Sequence, residues 1–388
     1  MAERARRRMA VSLFSGAGGL DLGVERAGYS VALAVENDPV AVATLNRNRS
    51  DWFPDLGEVA PLDVIALEPE DVLDMLGVTA GDIDLLVGGP PCVAFSKSGF
   101  HLEYKREGRD PKANLLEYYL DYLKALQPRA FLMENVFGLA YRNQSRAFFD
   151  ALCVGIRQAG YSLTHGVLNA ADYGVPQNRQ RLFLIGSRDG RELTLPAATH
   201  WGAHERRRPP ANVARLAPHI TAGEVLRELV TEPEEGEAVN GKWGHLLPEI
   251  PPGGNYLHYT QEQGHPQPLF KWRSRYWTFL LKLDPDRPAP TLQGQPGPYV
   301  GPFHWDNRRI RVPELRRLHG FPDDYVFEGT RRDVVLQVGN AVPPLLGEVV
   351  ARAVREQTER DEEVVLPGRR RRSHGGVTAS ARRPTITP

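Results

Sequence analysis

A lone thiol, Cys92, follows Gly88-Gly89-Pro90-Pro91 at the end of the apolar run Ile83 to Val87. The run reads as a buried strand of a parallel sheet, so the thiol stands on a stiff loop at a strand's carboxyl end, where open α/β sheets place their chemistry. Two prolines restrict the backbone ahead of the sulfur, which suits a nucleophile that must be held in place. Taken alone, an isolated cysteine reads more readily as a buried structural residue. Other groups reverse that reading. Glu134 follows a second apolar run, Arg129 to Met133, so a carboxyl group and a thiol at two parallel strand ends can share one crevice, although Glu134 would also serve as a helix cap. Arg179 and Arg181, one residue apart at the start of a strand over 182–186, point to the same face and reach the crevice or an acid.

The elements that must position these groups alternate strand and helix. A first strand, Ala10 to Phe14, runs into Ser15-Gly16-Ala17-Gly18-Gly19 and a helix beginning near Leu20. Glycines let a ligand approach the backbone, and a helix N-terminus favours negative charge. No Gly-Lys-Ser/Thr follows, which excludes a loop built to grip ATP or GTP. A second strand, Ser30 to Val35, ends in Glu36-Asn37-Asp38. Glu36 is placed to accept hydrogen bonds from ribose hydroxyls, or equally to supply charge at the start of a helix over 39–48. Asp63-Val64 closes a third, weaker strand. Helices are predicted over 68–76, 113–126 and 145–159, the last with Cys153 on its apolar face, and a strand over 162–169. The polar run 100–111 reads as a segment that closes over a substrate, or as an ordinary surface loop.

From Ser187 to Trp305 the pattern changes to frequent proline and glycine, with aromatic and basic residues interleaved in KWRSRYWTF at 271–279. This predicts a smaller, loop-rich domain whose aromatics either form a small core or offer a nucleic-acid surface. Lys+Arg and Asp+Glu are both 48, so DNA binding would require positive charge gathered on one face. Clusters at Arg206 to Arg208, at Arg273 and Arg275, at Arg308-Arg309 with Arg311, and at Arg316-Arg317 are each solvated surface or phosphate contacts. His200 and His204 have no partner ligand nearby, so no metal is expected. Two cysteines fit a reducing compartment, no apolar run spans a bilayer, and the N-terminal residues lack a secretory core, so the protein is expected in the cytoplasm. A helix over 313–319 and a final helix to about Arg355 restore α/β character, and a charged tail from Asp361 is expected to be disordered.

Six blocks in this order resemble the cytosine-5 DNA methyltransferase family: FSGAGGLDLG (14–23), GGPPCVAFS (88–96), MENV (133–136), QNRQR (177–181), RPAPTL (287–292) and VGNAVP (338–343). The resemblance implies a doubly wound, Rossmann-like methyltransferase sheet with an inserted target-recognition domain. The catalytic part would comprise 1–186 plus 306–358, the recognition domain 187–305, and the tail 359–388. S-adenosylmethionine is the implied methyl donor. Phe14 would lie against its adenine with Asp63 and Val64 beside it, Gly16 and Gly18 would face its amino-acid part, and Glu36 would hold its ribose. Gly19, Leu20, Asn37, Pro90, Asn340 and Val342 complete the implied pocket. The implied reaction adds Cys92 to carbon 6 of a flipped cytosine, with a buried, protonated Glu134 at N3 and Arg181 and Arg179 orienting it. Ser96, Arg109, Arg273, Arg275 and Thr291 are the implied DNA contacts. Val93 stands where the family usually has Gln.

The expected partners are double-stranded DNA and, functionally, a cognate restriction endonuclease, with a solitary regulatory methylase as the alternative biology; the chain is expected to act as a monomer. A tRNA cytosine-5 methyltransferase is disfavoured by Ser96, where that branch usually has Thr. A DNA-binding protein that has lost the chemistry is disfavoured by the retained Cys92, Glu134 and Arg181.

Overall fold

Successive residues of the central strands face opposite layers, and each layer has its own apolar cluster. The computed structural model describes residues 7–91, 115–142, 145–202, 205, 207, 209 and 213–359. Through the first half the chain runs β1 (Arg8–Leu13), α1 (Gly19–Arg26), β2 (Tyr29–Val35), α2 (Pro39–Trp52), α3 (Pro69–Leu76), β3 (Leu85–Gly88), α4 (Leu115–Leu126), β4 (Ala130–Val136), α5 (Gly138–Tyr141) and α6 (Arg146–Gln158). It continues through β5 (Thr164–Asn169), β6 (Gln177–Asn178), β7 (Gln180–Ser187), α7 (Ala222–Leu226), β8 (Ala289–Pro290), α8 (Val312–His319), α9 (Arg331–Asn340) and α10 (Pro344–Glu359).

The main sheet has the order β2-β1-β3-β4-β7-β5. β2, β1, β3 and β4 are parallel, and β7 runs antiparallel to β4 and β5. Ala10, Val31, Val87, Leu132 and Phe183 pack with α1, α2 and α10 on one face. Val11, Leu13, Leu86, Phe131 and Leu184 pack with α3, α4 and α6 on the other. Strand alternation of period two produces the two layers, and their helices make the arrangement doubly wound. β1 has β2 on one side and β3 on the other, so the winding reverses there and opens a crevice beyond the strands' carboxyl ends.

Three expectations shift. Residues 56–63 have no regular structure, so the strand ending at Asp63-Val64 is not formed. Pro61 removes a ladder donor, and the stretch is instead fastened by Leu62 N donating to Glu36 O and by Asn46, whose Nδ2 donates to Val59 O at 2.8 Å while its Oδ1 accepts from Val59 N. Glu134 lies inside β4 rather than past its end, because β7 extends the ladder as far as Val136↔Arg181. α9 was not expected, although its start carries a reciprocal cap between Thr330 and Asp333 of the kind that a T-x-x-D spacing announces.

Among the described residues of 187–305, regular structure is confined to α7, β8 and short 3-10 turns. Leu246, Tyr256, Tyr259, Phe270 and Phe303 form an aromatic core there. A second cluster packs Ala222, Leu226, Leu283 and Leu292 onto Leu315 and Leu318 of α8 and Val334 and Val338 of α9. The parallel pair β6 and β8 adds a backbone link. The tail from residue 360 lies outside the described residues.

Candidate active site

Glu134 faces the same layer as Ala130 and Leu132 but emerges where that row runs out at the crevice. Its register partner on β7 is Phe183, so Arg181, two residues earlier, is its diagonal neighbour. Arg181 Nε meets Glu134 Oε1 at 2.9 Å, with both side chains largely buried. Burial pushes the Glu134 carboxyl up, and Arg181 and then Arg179 partly pull it back. Just past the end of β3, a Cβ at Gly89 would stand 3.1 Å from Glu134 Oε2, so a larger residue there would push on that carboxyl. Asn135, buried, donates from Nδ2 to Pro90 O at 2.9 Å while its Oδ1 accepts from Val136 N. The proline turn that leads into Cys92 is thus tied to the residue next to Glu134. Cys92, Ser96 and Arg109 lie outside the described residues, whereas Pro90 and Pro91 line the same cleft as Glu134.

That cleft, of about 1810 Å³, also takes in Phe14, Gly16, Gly19, Leu20, Glu36, Asn37, Asp63, Val64, Arg181, Thr291, Asn340 and Val342. An adenosine-bearing cofactor fits its sheet side. Glu36 Oε2 accepts from Gly16 N at 2.7 Å, and Oε1 accepts from Asn37 N and Asp38 N. These amide donors fix the carboxylate's orientation and leave it lone pairs for ribose hydroxyls. Phe14, in the left-handed region at φ 58, together with Val64 and Ile65, supplies an apolar ledge. Space above Gly16 is open, with nothing within 4 Å of an added Cβ. Beneath the glycine turn, Ser12 donates to Asp21 Oδ1 at 2.5 Å and Ser15 donates to Ser12. Asp21 is fully buried and its Oδ2 has no hydrogen-bond partner among the described residues.

Two expected residues do not reach the cleft. Gly18, at φ 75, packs beneath it against Leu45, Tyr325 and Phe53. Arg179 is 1% exposed and gives its guanidinium to Leu292 O, Gly339 O and Ala341 O. It ties the blocks around 292 and 340 together and does not bond Glu134. Arg179 precedes β7 and is not part of its alternation, so it does not share the face of Arg181.

The wall opposite the sheet includes Tyr276, Trp277, Gln293 and Arg287. Tyr276 and Trp277 are 72% and 63% exposed, and Arg273 and Arg275 are exposed beside them. The Tyr256 hydroxyl donates to Arg275 O, and Asn255 donates to Trp277 O. Thr291 donates to Asn178 O. Most other basic clusters build the fold: Arg308 chelates Glu314, Arg311 chelates Glu237 and Arg317 chelates Asp323. Arg207 chelates Asp172, which His219 also bonds, and stacks on Trp201. That network, 35 residues apart in sequence, had no signal in any motif, whereas Asn135 stands inside the MENV block. His200 bonds the Thr199 hydroxyl; His204, Arg206 and Arg208 lie outside the described residues.

A family model described as C-5 cytosine-specific DNA methylase matches residues 9–356. The chain is 45% identical over 369 residues to the Type II methyltransferase M.SacI of Streptomyces achromogenes, covering 89% of this chain and 92% of that protein. It is 33% identical to the Type II methyltransferase M1.HphI of Haemophilus parahaemolyticus, covering 89% and 86%. A solved structure from E. coli, a prophage-encoded protein described as a DNA modification methyltransferase, superposes with a TM-score of 0.59 at 24% identity, over 90% of this chain and 99% of that one.

Proposed function

The chain belongs to the C-5 cytosine-specific DNA methylases, and from that membership we propose how its cleft methylates a cytosine turned out of duplex DNA. It is a DNA (cytosine-5)-methyltransferase of the S-adenosylmethionine-dependent kind. The relatives' Type II designation supports a role as the modification enzyme beside a cognate restriction endonuclease.

Carbon 5 of cytosine is a weak nucleophile until the ring is activated. The Cys92 thiolate adds to carbon 6, and Glu134, whose hold on a proton burial strengthens, donates to N3 and takes up the charge pushed into the ring. Arg181 fixes the carboxyl's orientation through its 2.9 Å contact. When bound, S-adenosylmethionine would supply an electrophilic methyl group, which the activated carbon 5 takes as the sulfonium leaves as a neutral thioether; Glu36 would hold its ribose, and Phe14, Val64 and Val342 would flank its adenosine. Loss of the carbon-5 proton then expels Cys92. Extrusion of the base costs a few kcal/mol, and the segment 187–305, the unit we assign to target recognition, offers Trp277, Tyr276, Arg273, Arg275 and Thr291 to the duplex.

The observation that carries this reading is the buried Glu134 beside Arg181, tied through Asn135 to the Pro90 turn and open to the cleft that Glu36 also lines. Release of tritium from carbon-5-labelled duplex DNA is the test. Wild type releases it, Cys92→Ala does not, and Glu134→Gln does so roughly 10²- to 10⁴-fold more slowly. Turnover by Cys92→Ala, or activity on tRNA with none on duplex DNA, overturns the reading.

A further inference from the structure

Outside the cleft, Glu249, His258 and His265 bring one ligand atom each to within 4.8 Å of one another. None of the three lines the cleft. The His265 ring is already oriented: its Nδ1 lies 2.8 Å from Gln267 O and 3.2 Å from Gln267 N, which leaves Nε2 directed at Glu249 Oε2, 3.9 Å away. An imidazole whose second nitrogen donates to a backbone carbonyl is the usual state of a metal-bound histidine, because that bond fixes the tautomer and the ring plane. His258 stands edge-on with its ring centroid 5.5 Å from that of His265, and the Tyr259 ring, 4.7 Å from His265, closes one side.

We propose that Glu249, His258 and His265 bind a late first-row divalent cation, of the zinc type, completed by water. Two imidazoles and one carboxylate select such ions over magnesium or calcium, which take all-oxygen sets. Metal–ligand bonds of about 2.0–2.2 Å put donors roughly 3.3 Å apart, so the ligands must draw together. Glu249, with 67% of its side chain exposed, can make that movement by giving up its hydrogen bond with Tyr259.

The site has a reason to matter. His258 lies in the 3-10 turn Tyr256–Tyr259, capped by Asn255. Asn255 and Tyr256 are the residues that hold Trp277 O and Arg275 O. A cation joining this turn to Glu249 and His265 therefore stiffens the support of the 271–277 loop, whose Tyr276 and Trp277 face the cleft.

The test is equilibrium dialysis of the full chain against zinc chloride, with bound zinc counted by elemental analysis. Wild type retains one zinc more than His265→Ala or His258→Ala. The cysteines and the remaining histidines, the other groups with zinc affinity, are common to all these chains. Glu249→Gln, at an exposed position that leaves folding intact, weakens retention roughly tenfold or more, since even outer-sphere partners are worth that much. Zinc also slows amide hydrogen exchange over 256–277 in wild type and not in Glu249→Gln. Equal zinc in wild type and all three variants, or exchange unchanged by zinc, overturns the proposal.

Discussion

Asn135 illustrates how one side chain holds two catalytic segments in register. Its amide bridges Pro90 and the strand of Glu134, so truncation frees the turn ahead of Cys92 without touching the cofactor side. Asn135→Ala is expected to lower kcat by about 10²-fold, the scale of an ångström of misplacement, with the cofactor KM little changed; steady-state kinetics on duplex DNA measure both, and an unchanged kcat would refute the role. Asp21 makes a different prediction. Burial raises its pKa from 3.8 to about 6. The folded state therefore holds this proton more tightly than the unfolded chain does, its stabilising effect is complete below pH 4, and it is lost as pH rises through 6. The difference amounts to roughly 3 kcal/mol. Asp21→Asn keeps the shape without the titration. Denaturant unfolding from pH 4 to 7 should show wild type losing stability relative to this variant by an amount of that order.

At the scale of elements, the antiparallel entry of β7 beside β4 decides which arginine serves Glu134. Register places Arg181 diagonally across from it, whereas Arg179 leaves the strand and joins the end of α9 to the chain after β8 through three carbonyls. Arg179→Leu strips those buried carbonyls of their donor at a cost of about 3–5 kcal/mol. The thermal midpoint should fall, and because Asn340 and Val342 flank Ala341 O, the cofactor KM should rise. A variant with a wild-type midpoint would show that the tether is dispensable. α10 and α1 close the layer on which this junction rests, with Leu20 and Leu22 packing in one cluster with Leu346 and Val350.

Across the whole molecule, the two walls of the cleft divide the labour: the sheet side carries Glu36, Glu134 and Arg181, and the opposite side carries exposed aromatics. Trp277→Ala is expected to weaken duplex binding by about tenfold or more, the scale of one stacked base, while the thermal midpoint and cofactor affinity stay as in wild type. Titration of labelled DNA against the two proteins decides it. The balance of 48 basic and 48 acidic residues also acquires a structural meaning. Arg207, Arg308, Arg311, Arg317 and Arg331 are spent on Asp172, Glu314, Glu237, Asp323 and Glu234, so charge available to a phosphate backbone is concentrated in fewer places than the clusters suggested.

By itself the sequence determined the alternation of strand and helix, the two-faced central strands, the glycine turn followed by Glu36, and that the arginines of QNRQR could reach the crevice of Glu134. Those features are local: period, turn chemistry and short motifs carry them within a few residues. Only the tertiary structure decided that Arg179 is a tether and Arg181 the partner, that Gly18 faces inward, that residues 56–63 hang from Glu36 and Asn46 instead of forming a strand, and that Asp172, Arg207 and His219 meet. Each of these depends on which distant backbone supplies a carbonyl, an amide or a carboxylate. Burial then charges the full cost of leaving such a group unpaired, so the fold settles those partners where no local pattern can.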